Sequence, residues 1–161
     1  MRKSLEALSI FGLALIFAMT WLAFNGPNPL PNLVPTHFDA AGNANAWGPP
    51  STLWILPVVG IVLYLFVTVI SLLPTGIRSS TRLTEEGRAR LESLIHQMVA
   101  WIKLELVCLF LWIQWSLLQT VRQGSGKMSP VAVLLFLIAI FATLGLHSGS
   151  IIRATRMGRD A

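Results

Sequence analysis

Residues 25–50 read NGPNPLPNLVPTHFDAAGNANAWGPP, and an apolar run lies on either side of them. This is the one long segment that is neither apolar nor basic, and it carries six of the nine prolines. Of the 161 residues, 54% are hydrophobic and 12% charged, whereas a soluble domain carries roughly 25% charged residues. The apolar residues gather into four blocks, each long enough to supply the roughly 20 residues that a helix needs to cross a bilayer. The fold class that follows is all-α. It is an integral membrane bundle of four transmembrane helices, one domain over residues 1–161, with an ordered extracytoplasmic loop at 25–50 between the first two helices.

Working outward from the loop, the first helix covers 5–24. Arg2 and Lys3 stand ahead of it, and Asn25-Gly26-Pro27 stops it, since Gly and Asn accept a left-handed cap and Pro cannot continue a helix. The run is too long for the h-region of a signal peptide and no small-x-small site follows it, so it reads as an uncleaved membrane helix. Ala14 and Ala18 offer a surface for close helix approach. The second helix covers 51–73, with Ser51 as N-cap, Pro57 marking a bend or the true start, and Pro74-Thr75-Gly76 ending it.

The connection 74–93 follows. Its basic and acidic part, 77–93, holds four arginines and three glutamates. Within it Thr84, followed by Glu85 and Glu86, reads as an N-cap with acids on the positive end of the helix dipole. The third helix is placed at 84–120, longer than a bilayer needs, with 94–119 as its membrane part. The fourth covers 129–152 and contains Gly145 and Gly149, a G-x-x-x-G spacing. Packing inside the bundle is the first reading of that pair, and an oligomer contact the second.

The basic residues give the orientation. Arg2, Lys3, the four arginines of 77–93, and Arg153, Arg156 and Arg159 make nine on one side; Arg122 and Lys127 make two on the other. This positive-inside asymmetry places both termini in the cytoplasm, the 74–93 connection with them, and the loop outside, in a multi-pass protein of the bacterial cytoplasmic membrane. The same distribution argues against nucleic-acid binding, because the net charge of +5 lies in connections between apolar blocks and not in a patch. It suits anionic lipid at the cytoplasmic arginines. The single cysteine, Cys108, allows no intrachain disulfide and reads as a small packing residue.

The loop resembles a bacterial membrane family. Leu30, Pro31, Val34, Pro35, His37, Phe38, Asp39, Gly42, Asn45, Trp47 and Gly48 fit the pattern L-P-x-x-[IV]-P-x-H-[FW]-[ND]-x-x-G-x-[AP]-[DN]-x-[WY]-[GS]. That pattern is similar to the uncharacterised domain forming the N-terminal part of SdpI-type immunity and signalling proteins. Members often carry a Lys soon after the last position, where this chain has Pro49 and Pro50. The resemblance implies a non-enzymatic membrane protein of immunity or signalling type, whose outer loop meets a peptide, lipid or protein partner.

Read for themselves, the loop prolines fix φ and remove donors, holding the segment extended without a ladder of hydrogen bonds. Asp39 to Gly42 has turn chemistry. Phe38, Trp47 and Trp54 suit the membrane–water interface. His37 and Asp39 are the sharp candidates. They either organise the loop, with Asn45 and Gly42, or bind a ligand, or form an acid–base pair in a membrane-embedded enzyme. Two such ligands do not make a metal site, and no cofactor motif is present.

Ionisable groups at membrane depth mark function or a satisfied polar cluster. Three stand out: Lys103 and Glu105 in the third helix and His147 in the fourth. Lys103 and Glu105 lie about 200° apart around the helix, so both of its sides are expected to touch protein. Lys103 can snorkel toward the cytoplasm. His147, Thr143, Thr68 and Ser71 are the partners expected for Glu105. These residues also support a second functional reading, a small transporter or ion-binding component using Glu105, Lys103 and His147.

Overall fold

The computed structural model describes residues 2–72 and 84–157. The expected helix stop at Pro74-Thr75-Gly76 and three of the counted arginines, Arg78, Arg82 and Arg159, lie outside the described residues. The elements run α1 (Arg2–Asn25), β1 (Val34–Phe38), β2 (Ala44–Gly48), a 3₁₀ turn (Pro50–Trp54), α2 (Ile55–Leu72), α3 (Glu85–Gln123) and α4 (Pro130–Met157). Four helical segments are long and apolar enough to cross a membrane, and the class is mainly α.

The caps follow local chemistry. Thr84 is extended at φ −64° and ψ 160°, and its hydroxyl accepts from the Gly87 N–H at 3.1 Å. Glu85 and Glu86 occupy the first turn of α3, and Gly124 closes it in the left-handed region at φ 61°. At 39 residues, α3 is about 58 Å long, roughly twice the hydrocarbon thickness, so part of it stands beyond the bilayer.

The start of the second helix differs from expectation. Ser51 is not the cap: Pro49 holds that position, and the Thr52 hydroxyl donates to the Pro49 carbonyl at 2.8 Å. Two successive prolines move the start to Pro50, where a missing N–H costs nothing, and the first turn winds tightly before Ile55. Pro57 then falls among the unpaired donors of the first α turn. The fourth helix runs beyond residue 152 to Met157, because nothing between Arg153 and Met157 breaks it and Ala154 buries against Leu91.

The third helix is the hub. It packs against α1 and α2 on one side and against α4 on the other. Each helix contributes a different kind of surface. Helix α1 buries Leu5, Ser9, Gly12, Ile16, Thr20 and Ala23, a stripe rich in small residues that lets backbones approach. A Cβ added at Gly12 would stand 2.6 Å from Val107 Cγ1 of α3, so this contact requires glycine. Ala14 and Ala18, expected to make that approach, are exposed. They lie off the stripe that Gly12 sets.

Gln114 of α3 is fully buried and donates to Thr20 Oγ1 of α1 at 2.8 Å and toward the Leu53 carbonyl at 3.4 Å. It ties three elements together below the apolar cluster of Ala23, Val34, Leu53, Leu117 and Leu118. The glycine pair of α4 does not pack inside the bundle, contrary to expectation. Nothing lies within 4 Å of a Cβ placed at Gly145, and at Gly149 the nearest atom is Arg153 Nη2, one turn on along the same helix.

Candidate functional site

The 25–50 segment folds into an antiparallel hairpin, not the ladder-free extended loop that its prolines suggested. Val34 pairs with Gly48, Pro35 with Trp47, His37 with Ala46 and Phe38 with Ala44, with irregularities directly after Pro35 and after His37. A two-stranded sheet is all edge, so a proline that lacks an N–H is tolerated there and the register slips beside it. Val34 points down into the core and is fully buried.

Asp39 builds the turn. Its Oδ1 accepts from the Ala41 N–H at 2.9 Å and the Asn43 N–H at 2.8 Å, and Asn43 Nδ2 lies 3.2 Å from Oδ2. The backbone N–H of Asn43, then its side-chain amide, hold the Asp39 carboxyl below the usual carboxylate range, with the Ala41 and Gly42 amides adding to this. Gly42 sits at φ 82°, and a Cβ there would overlap the Met128 carbonyl oxygen. That close approach has a purpose. The Met128 N–H donates to the Gly42 carbonyl at 2.8 Å, and the Ala44 N–H donates to the Gly126 carbonyl at 2.7 Å. Main-chain bonds therefore fasten the hairpin turn to the connection between α3 and α4. Thr120 steadies that connection from below, its hydroxyl 2.9 Å from the Lys127 carbonyl.

His37 Nδ1 lies 2.6 Å from Asn45 Oδ1. An amide oxygen only accepts, so Nδ1 carries the proton in this arrangement and Nε2 is the ring nitrogen left over. His37 and Asp39 do not converge: one bonds Asn45 across the hairpin, and the other is consumed by its own turn. Phe38 packs against the core beneath the hairpin. Trp47 remains 53% exposed and Leu33 57%. Below them Trp54 packs edge-on to Phe17 and stacked on Phe24, with centroids 5.0 and 5.9 Å apart, a ring cluster of the kind that anchors an interface.

The membrane-depth residues fall into two clusters on opposite sides of α3. Lys103 faces α1 and α2, with a side chain only 3% exposed. Its Nζ donates to Glu6 Oε1 at 2.5 Å and to Thr68 Oγ1 at 3.2 Å, and lies 4.8 Å from the centre of the Tyr64 ring. The Tyr64 hydroxyl donates to Glu6 Oε2 at 2.7 Å. Lys103 is thus neutralised in place by Glu6, which sequence reasoning passed over. The usable signal was a single acid one turn into an otherwise apolar helix.

Glu105 faces α4. Thr143 Oγ1 donates to its Oε1 at 2.5 Å, and Oε2 is buried without a hydrogen-bond partner. His147 Nδ1 lies 3.0 Å from the Thr143 carbonyl. Thr143 therefore neighbours both Glu105 and His147, while Lys103 belongs to the other cluster. Among the described residues, no three His, Cys, Asp or Glu side chains form a group that could hold a metal ion.

These features define a multi-pass α-helical membrane protein with a rigid hairpin cap at one end. A family model described as a domain of unknown function, DUF1648, matches residues 10–61. The matched stretch takes in most of α1, the whole hairpin, the 3₁₀ turn and the start of α2. No curated protein and no solved structure matches the chain.

Proposed function

We propose that this is a non-catalytic recognition protein of the bacterial cytoplasmic membrane, of immunity or signalling type, whose hairpin presents its outer surface to a peptide or protein partner. The observation that carries this is the combination of rigidity and exposure in one element. The hairpin is closed by Asp39, fastened through main-chain bonds to Gly126 and Met128, and still displays Trp47, Leu33 and His37. A preformed surface binds with little ordering cost, and an exposed Trp is a frequent anchor of interfaces. The occurrence of the matched domain in SdpI-like proteins supports the same reading. The nine-to-two distribution of basic residues supports an orientation with the termini in the cytoplasm and the hairpin outside, where such a partner would arrive.

The alternative, ion transport through Lys103, Glu105 and His147, is less well supported. Lys103 is paired with Glu6 on one side of α3, and Glu105 lies on the other, so the three do not line a common path. An enzyme built on His37 and Asp39 has the same weakness, since Asp39 is committed to backbone amides.

The test works whatever the partner is. In cells lacking the protein, the transcript profile is measured with and without complementation. Wild type restores the profile, while His37→Ala and Trp47→Ala accumulate in the membrane and do not. If both variants restore it fully, the hairpin is not the recognition element.

A further inference from the structure

At the end of the bundle opposite the hairpin, two open clefts meet at Arg2 and His96. One hollow, about 460 Å³, lies between the start of α1, the end of α2 and α3. The other, about 480 Å³, lies along the first turns of α3. Among the described residues, the charged lining of the first is Arg2, Lys3, Lys103 and Glu6, three cations against one carboxylate. That carboxylate is already engaged through both oxygens, one by Lys103 and one by Tyr64. Arg2 and Lys3 are exposed at the mouth. His96 lines both hollows, and its Nδ1 bonds the Glu92 carbonyl at 2.7 Å, leaving Nε2. Ile10, Leu72 and Val99 add apolar wall to the cleft, with Ile10 and Leu72 exposed.

We infer that the cleft between α1, α2 and α3 is a binding site for one anionic phospholipid, in the leaflet on the side of the termini. The phosphate would sit between Arg2 and Lys3, and an acyl chain would lie along Ile10 and Leu72. Three features of the cleft favour a lipid over free phosphate. It lies between membrane helices, its lining combines cations with exposed apolar residues, and its one acid among the described residues is already neutralised. Basic pockets between helices recognise anionic headgroups on this electrostatic ground. The inference is independent of the hairpin, which lies at the other end of the molecule.

The full chain, purified in detergent, is titrated with phosphatidylglycerol or phosphatidylcholine of matched acyl chains and read by native mass spectrometry. One phosphatidylglycerol is expected to be retained in preference to phosphatidylcholine. Replacing both cations (Arg2→Gln with Lys3→Gln) weakens that binding by about thirtyfold. Removing the same charge from the end of α4 (Arg153→Gln with Arg156→Gln) changes it less than about threefold. Because Arg2 and Lys3 also direct insertion, a second variant keeps the charges: Ser71→Phe narrows the cleft and must lose the lipid as well. Equal losses in the two charge variants, full retention in Ser71→Phe, equal binding of both lipids, or complete displacement by millimolar inorganic phosphate would each overturn the assignment.

Discussion

Replacing Glu6 by Leu tests the central electrostatic contact of the bundle. The wild-type chain holds the Lys103 ammonium at 3% exposure against Glu6, Thr68 and the Tyr64 ring. Removing one partner of a fully buried pair costs about 3–5 kcal/mol, because an uncompensated charge is left behind. Here Glu6 is 30% exposed, and Lys103 keeps Thr68 and Tyr64. Solvent screening and a cation–π contact of roughly 0.5–2 kcal/mol therefore reduce the expected loss to about 2–3 kcal/mol. The converse variant, Lys103→Met, removes the buried charge itself and leaves Glu6 with the Tyr64 hydroxyl and access to water, so its cost is about 1 kcal/mol. The double variant closes the cycle. With neither charge present it recovers most of the Glu6→Leu loss and costs about 1 kcal/mol, which gives a coupling of about 2–3 kcal/mol. Reversible unfolding in mixed micelles, followed by circular dichroism, measures all four proteins. If Glu6→Leu is no worse than Lys103→Met, or if the two losses simply add, the assignment of a buried, compensated Lys103 is wrong.

Three further outcomes follow from the cap and the topology. Gly42→Ala meets both a positive φ and the Met128 carbonyl, so it releases the hairpin from the α3–α4 connection at a cost of about 2 kcal/mol or more; hydrogen exchange at the Met128 and Ala44 amides rises sharply while the helices stay protected, and unchanged exchange refutes the docking. The folded hairpin lowers the Asp39 pKa, so its stabilising effect is complete above the unfolded value of about 3.9 and is lost as pH falls through the folded value. Nuclear magnetic resonance of the Ala41 and Asn43 amides should show one shared midpoint below that value, absent in Asp39→Asn; a midpoint at or above it contradicts the turn. Asn28→Cys, in a Cys108→Ala background, reacts with an impermeant maleimide added outside intact cells, whereas labelling only after lysis reverses the proposed orientation.

The four helices were legible because membrane crossing imposes length and apolarity on a sequence, and few other constraints produce that pattern. Thr84 was legible for the same kind of reason: a hydroxyl followed by two acids has one economical use at a helix start. The hairpin was not. Its prolines argued against a ladder, and only a two-stranded sheet, with both strands at an edge, makes Pro35 harmless. The docking of Gly42 on Met128 joins segments far apart in the chain, so no local pattern announces it. Ala14 and Ala18 drew notice because small residues four apart are conspicuous, yet the contact face was set by where Gly12 meets Val107. Among the candidate residues, the opposite placement of Lys103 and Glu105 came directly from the helical period. The partner of Lys103 did not, because Glu6 sits at the head of an apolar run and was absorbed into it.

The main-chain bonds between the hairpin turn and residues 126–128 also bear on biosynthesis. The chain emerges from its N-terminus, so the hairpin is made and delivered to its side of the membrane long before the segment that fastens it exists. Until α3 and the connection after it have arrived, the Ala44 N–H lacks its Gly126 partner, the Gly42 carbonyl lacks Met128, and Gly12 has no Val107 to pack against. The stretch matched as a recurring domain, residues 10–61, is therefore a unit of sequence and not of folding. It waits, incomplete, for the second half of the protein to reach it.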